Sequence, residues 1–239
     1  MKCPSSPYYR EFDLEDFGIE TEAFLARIRP TFEALPADTD GRPRSVAYYD
    51  LVHQGNGEWG LTRGAHKPFE QLGVSDDRKK PRLFSEMSAT VGEDRDFVRL
   101  LLAVAGLIKA TRAEVTRLLM TAHQVSTIVR GSDPAYPAPE GLHHDGMDFV
   151  VPAMVISRDG IRGGSSIAYA GSLSQLTTLR PGQGILLDDR RFMHGVTPIR
   201  LSGSFGGQGR RDIIGLDIQV RNGGELFETP IVSGFESGE

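Results

Sequence analysis

Apolar residues recur along this chain with two different periods. Over residues 20–34 the run ETEAFLARIRPTFEA joins strong helix formers to apolar positions at helical spacing, and Pro30 inside it predicts a break or kink. A clearer helix follows, where Phe97, Leu100, Leu101, Val104 and Ile108 recur at i, i+3 and i+4, with Asp94 or Asp96 as its N-cap. Val115, Leu118 and Leu119 carry helical spacing on to about Ala122. Residues 36–84, between the two helical parts, are rich in Gly, Pro, Arg and aromatics. Within them 48–52 reads as a strand, and GNGEWG at 55–60 as a hairpin turn with its flank.

After Ala122 the period falls to two. The runs 125–130, 149–157, 166–170, 184–188, 197–201 and 212–220 are short and rich in β-branched residues, and clusters such as RDGIRGG and LRPGQG separate them. Strands punctuated this evenly, without helices between them, predict an antiparallel sandwich or barrel. SGSFGGQG at 202–209 reads as a loop; it does not open a helix after a strand, so it is not a phosphate cradle. Helices first and eight or fewer strands second give an α+β, mainly β class: a jelly roll with N-terminal supporting helices. The expected organisation is one domain over 1–239, with a helical or mixed part at 1–122, a jelly-roll core at 123–222 and a C-terminal tail at 223–239.

Composition narrows the function classes. Hydrophobic residues make up 39% and charged residues 25%, ordinary for a globular chain that buries a core without staples. The single cysteine, Cys3, excludes a disulfide framework and a Cys-based zinc cluster, which agrees with a reducing, cytoplasmic setting. The start MKCPSSPYYREFD has no apolar h-region, and no run of 18 apolar residues occurs. The net charge of -5 lacks the basic excess of a nucleic-acid binder. The expectation is a soluble protein with a small-molecule substrate and neither a nucleic-acid nor a membrane partner.

The β half holds an uncommon set of ligand-type residues: His143-His144-Asp145, and His194 in RFMHGVTPI, 51 positions after His143. In an extended segment residues i and i+2 share a face, so His143 and Asp145 can converge on one cation while His144 faces away. His194 would join them from a strand laid alongside. Two imidazoles and one carboxylate on one side of an ion leave its other positions open, the facial triad of non-haem Fe(II) oxygenases. An isolated H-x-D is weak evidence. Here it precedes an apolar strand, the distal histidine follows another (GILLDD), and Arg210-Arg211 opens the last long strand.

The stretches PEGLHHDGMDFVVPAMVISRDGIRGGSS, GILLDDRRFMHGVTPI and GRRDIIGLDI resemble the 2-oxoglutarate/Fe(II) dioxygenases related to the bacterial L-isoleucine hydroxylases. The likeness covers about Pro139 to Val220 and thins upstream, where Arg42, Arg44 and Phe69-x-Gln71 match loosely. It implies a double-stranded β-helix core, His143, Asp145 and His194 as iron ligands, and an arginine on the last core strand for the far carboxylate of 2-oxoglutarate. Arg211 takes that role in RRDII, with Arg210 as the alternative, since strand alternation lets only one of the two face inward. The presence of Asp145 argues against the related halogenases, which lack the carboxylate ligand. The cofactor set implied is Fe(II), 2-oxoglutarate as co-substrate and O2. The activity implied is hydroxylation of a free aliphatic L-amino acid or a similar small molecule, with release of succinate and CO2. A peptide or protein side chain as substrate, and a non-catalytic jelly-roll module holding zinc, are the alternatives.

Other residues invite weaker readings. Gly163-Gly164-Ser165-Ser166 resembles a family element near the metal, or is a tight turn entering a strand. Asp148 could hold a substrate ammonium but reads better as a loop carboxylate. His144 reads as a solvated neighbour, and Trp59 as a hairpin anchor rather than part of a lid with His66. Asp188 and Asp189 are adjacent on a strand and point apart, which excludes shared acid–base work.

Overall fold

The computed structural model describes residues 7–38, 41–69, 81–203 and 207–222. Cys3, Gln71 and the tail expected at 223–239 lie outside these residues. A strand β1 (Tyr9–Asp13) and a 3-10 turn (Leu14–Phe17) lead into helix α1 (Thr21–Glu33). The hairpin β2 (Arg44–His53) and β3 (Trp59–Arg63) follows, then the short β4 (Ser85–Glu86), α2 (Ala89–Gly92) and α3 (Arg95–Thr111). The rest is strand: β5 (Arg117–Arg130), β6 (Phe149–Asp159), β7 (Ile161–Gly163), β8 (Ser166–Ala170), β9 (Leu173–Thr177), β10 (Gln183–Asp188), β11 (Met193–Val196), β12 (Ile199–Leu201) and β13 (Gln208–Val220).

The strands form a large sheet in the order β1-β10-β6-β13-β5-β2-β3, with β4 on β2, and two small sheets, β11-β8-β9 and β12-β7. This is the mainly β, antiparallel architecture expected, a jelly roll with helices on one side. Three expectations need correction. The segment after Val115 is not helical: β5 starts at Arg117, and Leu118, Met120 and Ala122 alternate into the core. Pro30 does not end α1, which runs on to Glu33, because only one more turn follows the proline and little helix is lost beyond the missing N–H. Finally, nine strands, not eight or fewer, follow α3 among the described residues.

Helix α3 forms where its stripe predicts. Asp94 caps it, accepting hydrogen bonds from the N–H groups of Asp96 and Phe97, while Phe97, Leu100, Leu101, Val104, Ala105 and Ile108 are buried. With Phe24, Leu25, Ile28 and Phe32 of α1 they pack on the outer face of the large sheet, against Leu118, Met120, Ile214 and Leu216. Full burial of each large apolar side chain contributes about 1.5–3 kcal/mol. A second cluster, with Val150, Ala153, Val155, Ala168, Ile185 and Phe192, lies between the large sheet and the small ones. Trp59 packs partly buried against the helix-side core, its ring edge-on to His53 at 5.1 Å, as a hairpin anchor does. The inner faces of β2, β5 and β13 are left to line a cavity. Among the described residues no helix is long and apolar enough to cross a membrane.

Candidate metal centre

Strand alternation on β13 separates its two arginines. Arg210 shares the helix-side face with Asp212. Its guanidinium donates to Asp212 Oδ1 (2.7 Å), Ser126 Oγ (2.8 Å) and the carbonyl of Phe32, and Ser126 and Ser157 complete the shell of Asp212. Arg211 faces the other way, is 2% exposed, and lines a cavity of about 390 Å³ whose walls also carry His143, Asp145 and His194. Its Nε and one terminal nitrogen are buried without a hydrogen-bond partner. Burial, with Arg158 nearby, pushes it down to about 9. A buried guanidinium edge left open is costly unless an anion takes it.

His143 and His194 are joined through their backbones: each N–H donates to the other's carbonyl, at 3.0 and 2.9 Å. That isolated bridge ties the loop before β6 to β11 of the small sheet. The ring centroids stand 4.6 Å apart, and ligand atoms of His143, Asp145 and His194 all lie within 4.8 Å of one another. His144 turns out of the cluster; its Nδ1 meets the carbonyl of Asp189. The Nδ1 of His143 meets the Gly141 carbonyl at 3.0 Å, which leaves Nε2 toward the cluster.

The electrostatics suit a cation. Burial alone would raise the Asp145 carboxyl, but the imidazoles of His143 and His194 outweigh it and hold it well below the usual carboxylate range. Burial would likewise lower both histidines. Asp145 and Gly141 instead raise His143, and Asp145 with Asp189 pushes His194 up to about 9. His194 Nε2 is 3.1 Å from Asp145 Oδ2 and 3.5 Å from Asp189 Oδ1, yet it is buried and not aligned for a hydrogen bond. A buried, unaligned nitrogen facing two carboxylates, beside a second imidazole, is the donor set that borderline first-row metals take. The residues present therefore fit an Fe(II) ion.

Several neighbours were not legible in the sequence. Asp189, 1% exposed, accepts the N–H groups of Asp145 (3.2 Å) and Met147 (3.0 Å), while Asp188 points away to Arg190 and Arg191. Glu140 Oε1 stands 3.5 Å from His143 Nε2. The same cavity is also lined by Arg44, Arg82, Phe69, His123 and Asp217. The glycine pair of 163–166 makes a tight turn with φ of 78° and 67°, and a Cβ on Gly164 would stand 3.2 Å from Arg211 Cδ. Asp148 is outside this cavity, accepting Val220 N–H and facing Arg112 and Arg190. His66 faces Tyr48, 6.5 Å between centroids.

The family model for the 2OG-Fe dioxygenase matches residues 29–217. Among solved structures, a bsmA homologue from Methylobium petroleophilum PM1 is 24% identical, with a TM-score of 0.76 over 90% of this chain and 89% of that one. IDO from Bacillus thuringiensis is 17% identical, with a TM-score of 0.73 over 90% and 95%. The Fe(II)/α-ketoglutarate-dependent dioxygenase TqaL is 14% identical, with a TM-score of 0.65 over 90% and 83%. These likenesses are of fold. No curated protein matches the chain.

Proposed function

The chain belongs to the 2OG-Fe dioxygenase family, and from that premise we propose that it hydroxylates a free, aliphatic L-amino acid or a similar small molecule, with release of succinate and CO2. It is a dioxygenase enzyme whose cofactors are Fe(II), 2-oxoglutarate and O2. His143, Asp145 and His194 would hold the iron, and Arg211 the far carboxylate of 2-oxoglutarate. Bound iron with its co-substrates supplies the oxidising power, and the protein's own share is to bind, orient and keep dry.

Each residue's part follows from its surroundings. Gly141 fixes the His143 ring through Nδ1 so that Nε2 stays directed at the cluster. Asp145 balances cationic charge in a largely buried site. Arg211 offers a planar, forked cationic edge in the same cavity, which suits a carboxylate better than a lysine would. Arg210 is spent on Asp212, Ser126 and Phe32 and faces the helices. The carrying observation is the open, buried edge of Arg211 in the cavity that also contains the three ligand-type side chains. The free-amino-acid substrate rests on the resemblance to the L-isoleucine hydroxylases and on a cavity of small-molecule size.

Two measurements test the reading. Anaerobic addition of Fe(II) and 2-oxoglutarate should give a weak visible charge-transfer band, and a flat spectrum with the metal-binding side chains intact would refute the site assignment. A mass-spectrometric screen of the twenty amino acids, with and without 2-oxoglutarate, should find at least one that gains a single oxygen. Succinate release with peptides alone would refute the substrate class.

A further inference from the structure

Beyond Arg211, the wall of the cavity built by β2, β5 and β13 carries further charge in a specific arrangement that the holding of iron and 2-oxoglutarate does not use. Strand pairing sets Arg44 against Val125, and Ile213 of β13 against the same Val125, while Arg211 pairs with Thr127. Arg44 is thus two strands across and two residues along from Arg211. At about 4.8 Å per strand and about 3.4 Å per residue the two backbones are roughly 12 Å apart, so each arginine can take a separate anion. The Arg44 guanidinium lies 4.8 Å over the ring of Phe84; its Nε is buried without a hydrogen-bond partner, and the nearest carboxylate oxygen, on Asp38, is 3.8 Å away. A guanidinium with one face covered by an aromatic ring offers its edge, the geometry that binds a carboxylate.

His123 stands one inward position further along, opposite Val46 of β2 and Gly215 of β13. Phe69 and Phe84 meet its ring edge-on, with centroids at 5.0 and 6.5 Å, and Asp217 Oδ2 lies 3.2 Å from Nε2. In the tautomer whose Nε2–H donates to the Asp217 carboxylate, the buried Nδ1 is a lone-pair acceptor with no partner of its own. Arg42 and Arg82 add positive charge beside Arg44, against Asp38 and Asp217, so this wall favours an anion that also carries a hydrogen-bond donor. A second cavity, of about 370 Å³ near His144, differs: its Asp148 faces Arg112 and Arg190, and Arg190 also meets Asp188.

We infer that this wall recognises the charged end of the substrate: Arg44 binds the carboxylate of a free α-amino acid, and His123, oriented by Asp217, accepts a hydrogen bond from its ammonium. The inference rests on the free-amino-acid reading above and adds to it the residues that select the substrate. Both buried nitrogens gain partners on binding, while the apolar side chain is left to the remainder of the cavity, toward the metal centre. A ligand lacking either charged group leaves one of them desolvated and unpaired, which is how such sites discriminate.

The test is calorimetric binding to the protein loaded anaerobically with Fe(II) and 2-oxoglutarate, with L-leucine, L-isoleucine and L-methionine as probes beside their carboxamides and 4-methylpentanoate. For wild type, converting carboxylate to carboxamide, or removing the amino group, should weaken binding about tenfold or more. Arg44→Ala should weaken the acids by about the same factor and leave the carboxamides within about twofold, so that the pair couples in a double-mutant cycle. Arg44→Lys should recover part of the loss, and His123→Asn should narrow the gap between L-leucine and 4-methylpentanoate. Equal binding of acids and carboxamides by wild type, which needs no variant, overturns the inference. Full retention of acid affinity by a folded Arg44→Ala also overturns the subsite and leaves the amino-acid reading standing. Binding of none of the three amino acids, with the Fe(II)–2-oxoglutarate band intact, overturns both.

Discussion

Asp189 holds Asp145 by its backbone: the buried carboxylate of the first accepts the N–H of the second through Oδ1, while its other oxygen takes the N–H of Met147. The H-x-D loop is thereby pinned from behind by a residue five positions before His194. Asp189→Ala should weaken Fe(II) binding by about 10–100-fold, the usual cost of losing an outer-shell partner. Asp189→Asn, which keeps one acceptor oxygen, should lose less. Titration of the Fe(II)–2-oxoglutarate absorption band reads both, with circular dichroism to confirm the fold.

The two neighbouring arginines should respond in opposite ways. Arg211→Met removes a buried cation whose edge has no partner, so in the absence of 2-oxoglutarate the variant should melt no lower than wild type, while 2-oxoglutarate should no longer raise its Tm. Arg210→Met strips Asp212 and the Phe32 carbonyl of a partner. It should lower stability by about 1–3 kcal/mol and leave the 2-oxoglutarate-induced shift in place. Thermal melts with and without the co-substrate distinguish them.

Asp94 gives a pH dependence remote from the metal centre. Burial would raise its carboxyl, but hydrogen bonds from Arg27 and from the N–H groups of Asp96 and Phe97 outweigh it and hold it below its ordinary value. A carboxyl depressed in the folded state contributes stability above its unfolded pKa, about 3.9, and loses that contribution as pH falls toward the folded value. Asp94→Ala should therefore cost about 1 kcal/mol at pH 7, with the gap to wild type closing toward about pH 3. Urea denaturation at the two pH values measures it.

Gly163 leaves no room for a side chain. A Cβ there would stand 2.1 Å from the carbonyl oxygen of Pro198, and its φ of 78° suits glycine. Gly163→Ala should cost about 2–4 kcal/mol by forcing β7 and β12 apart, read as a lower urea midpoint.

Much of this was written locally in the sequence, and what was missed is non-local. The α3 stripe and its Asp94 cap depend on residues within a few turns of each other, and so does the shared face of His143 and Asp145. The start of β5 is ambiguous in sequence because Val115, Leu118 and Leu119 mimic helical spacing, while Leu118, Met120 and Ala122 serve the strand period equally well. The rule that Asp188 and Asp189 point apart holds, but it does not reveal that Asp189 meets the loop of Asp145, 44 residues earlier. Arg44, His123 and Asp217 come together only through the register of β2, β5 and β13, which no single segment encodes. β11, which bears His194, is four residues long and too short to announce itself by alternation.

The histidine bridge carries a mechanical consequence. His194 belongs to the small sheet, whereas His143 and Asp145 precede β6 of the large one, so an ion shared by the three would tie together two layers that the paired backbone hydrogen bonds of His143 and His194 already join. Such an ion would make the site a clasp between the layers as well as a place of reaction.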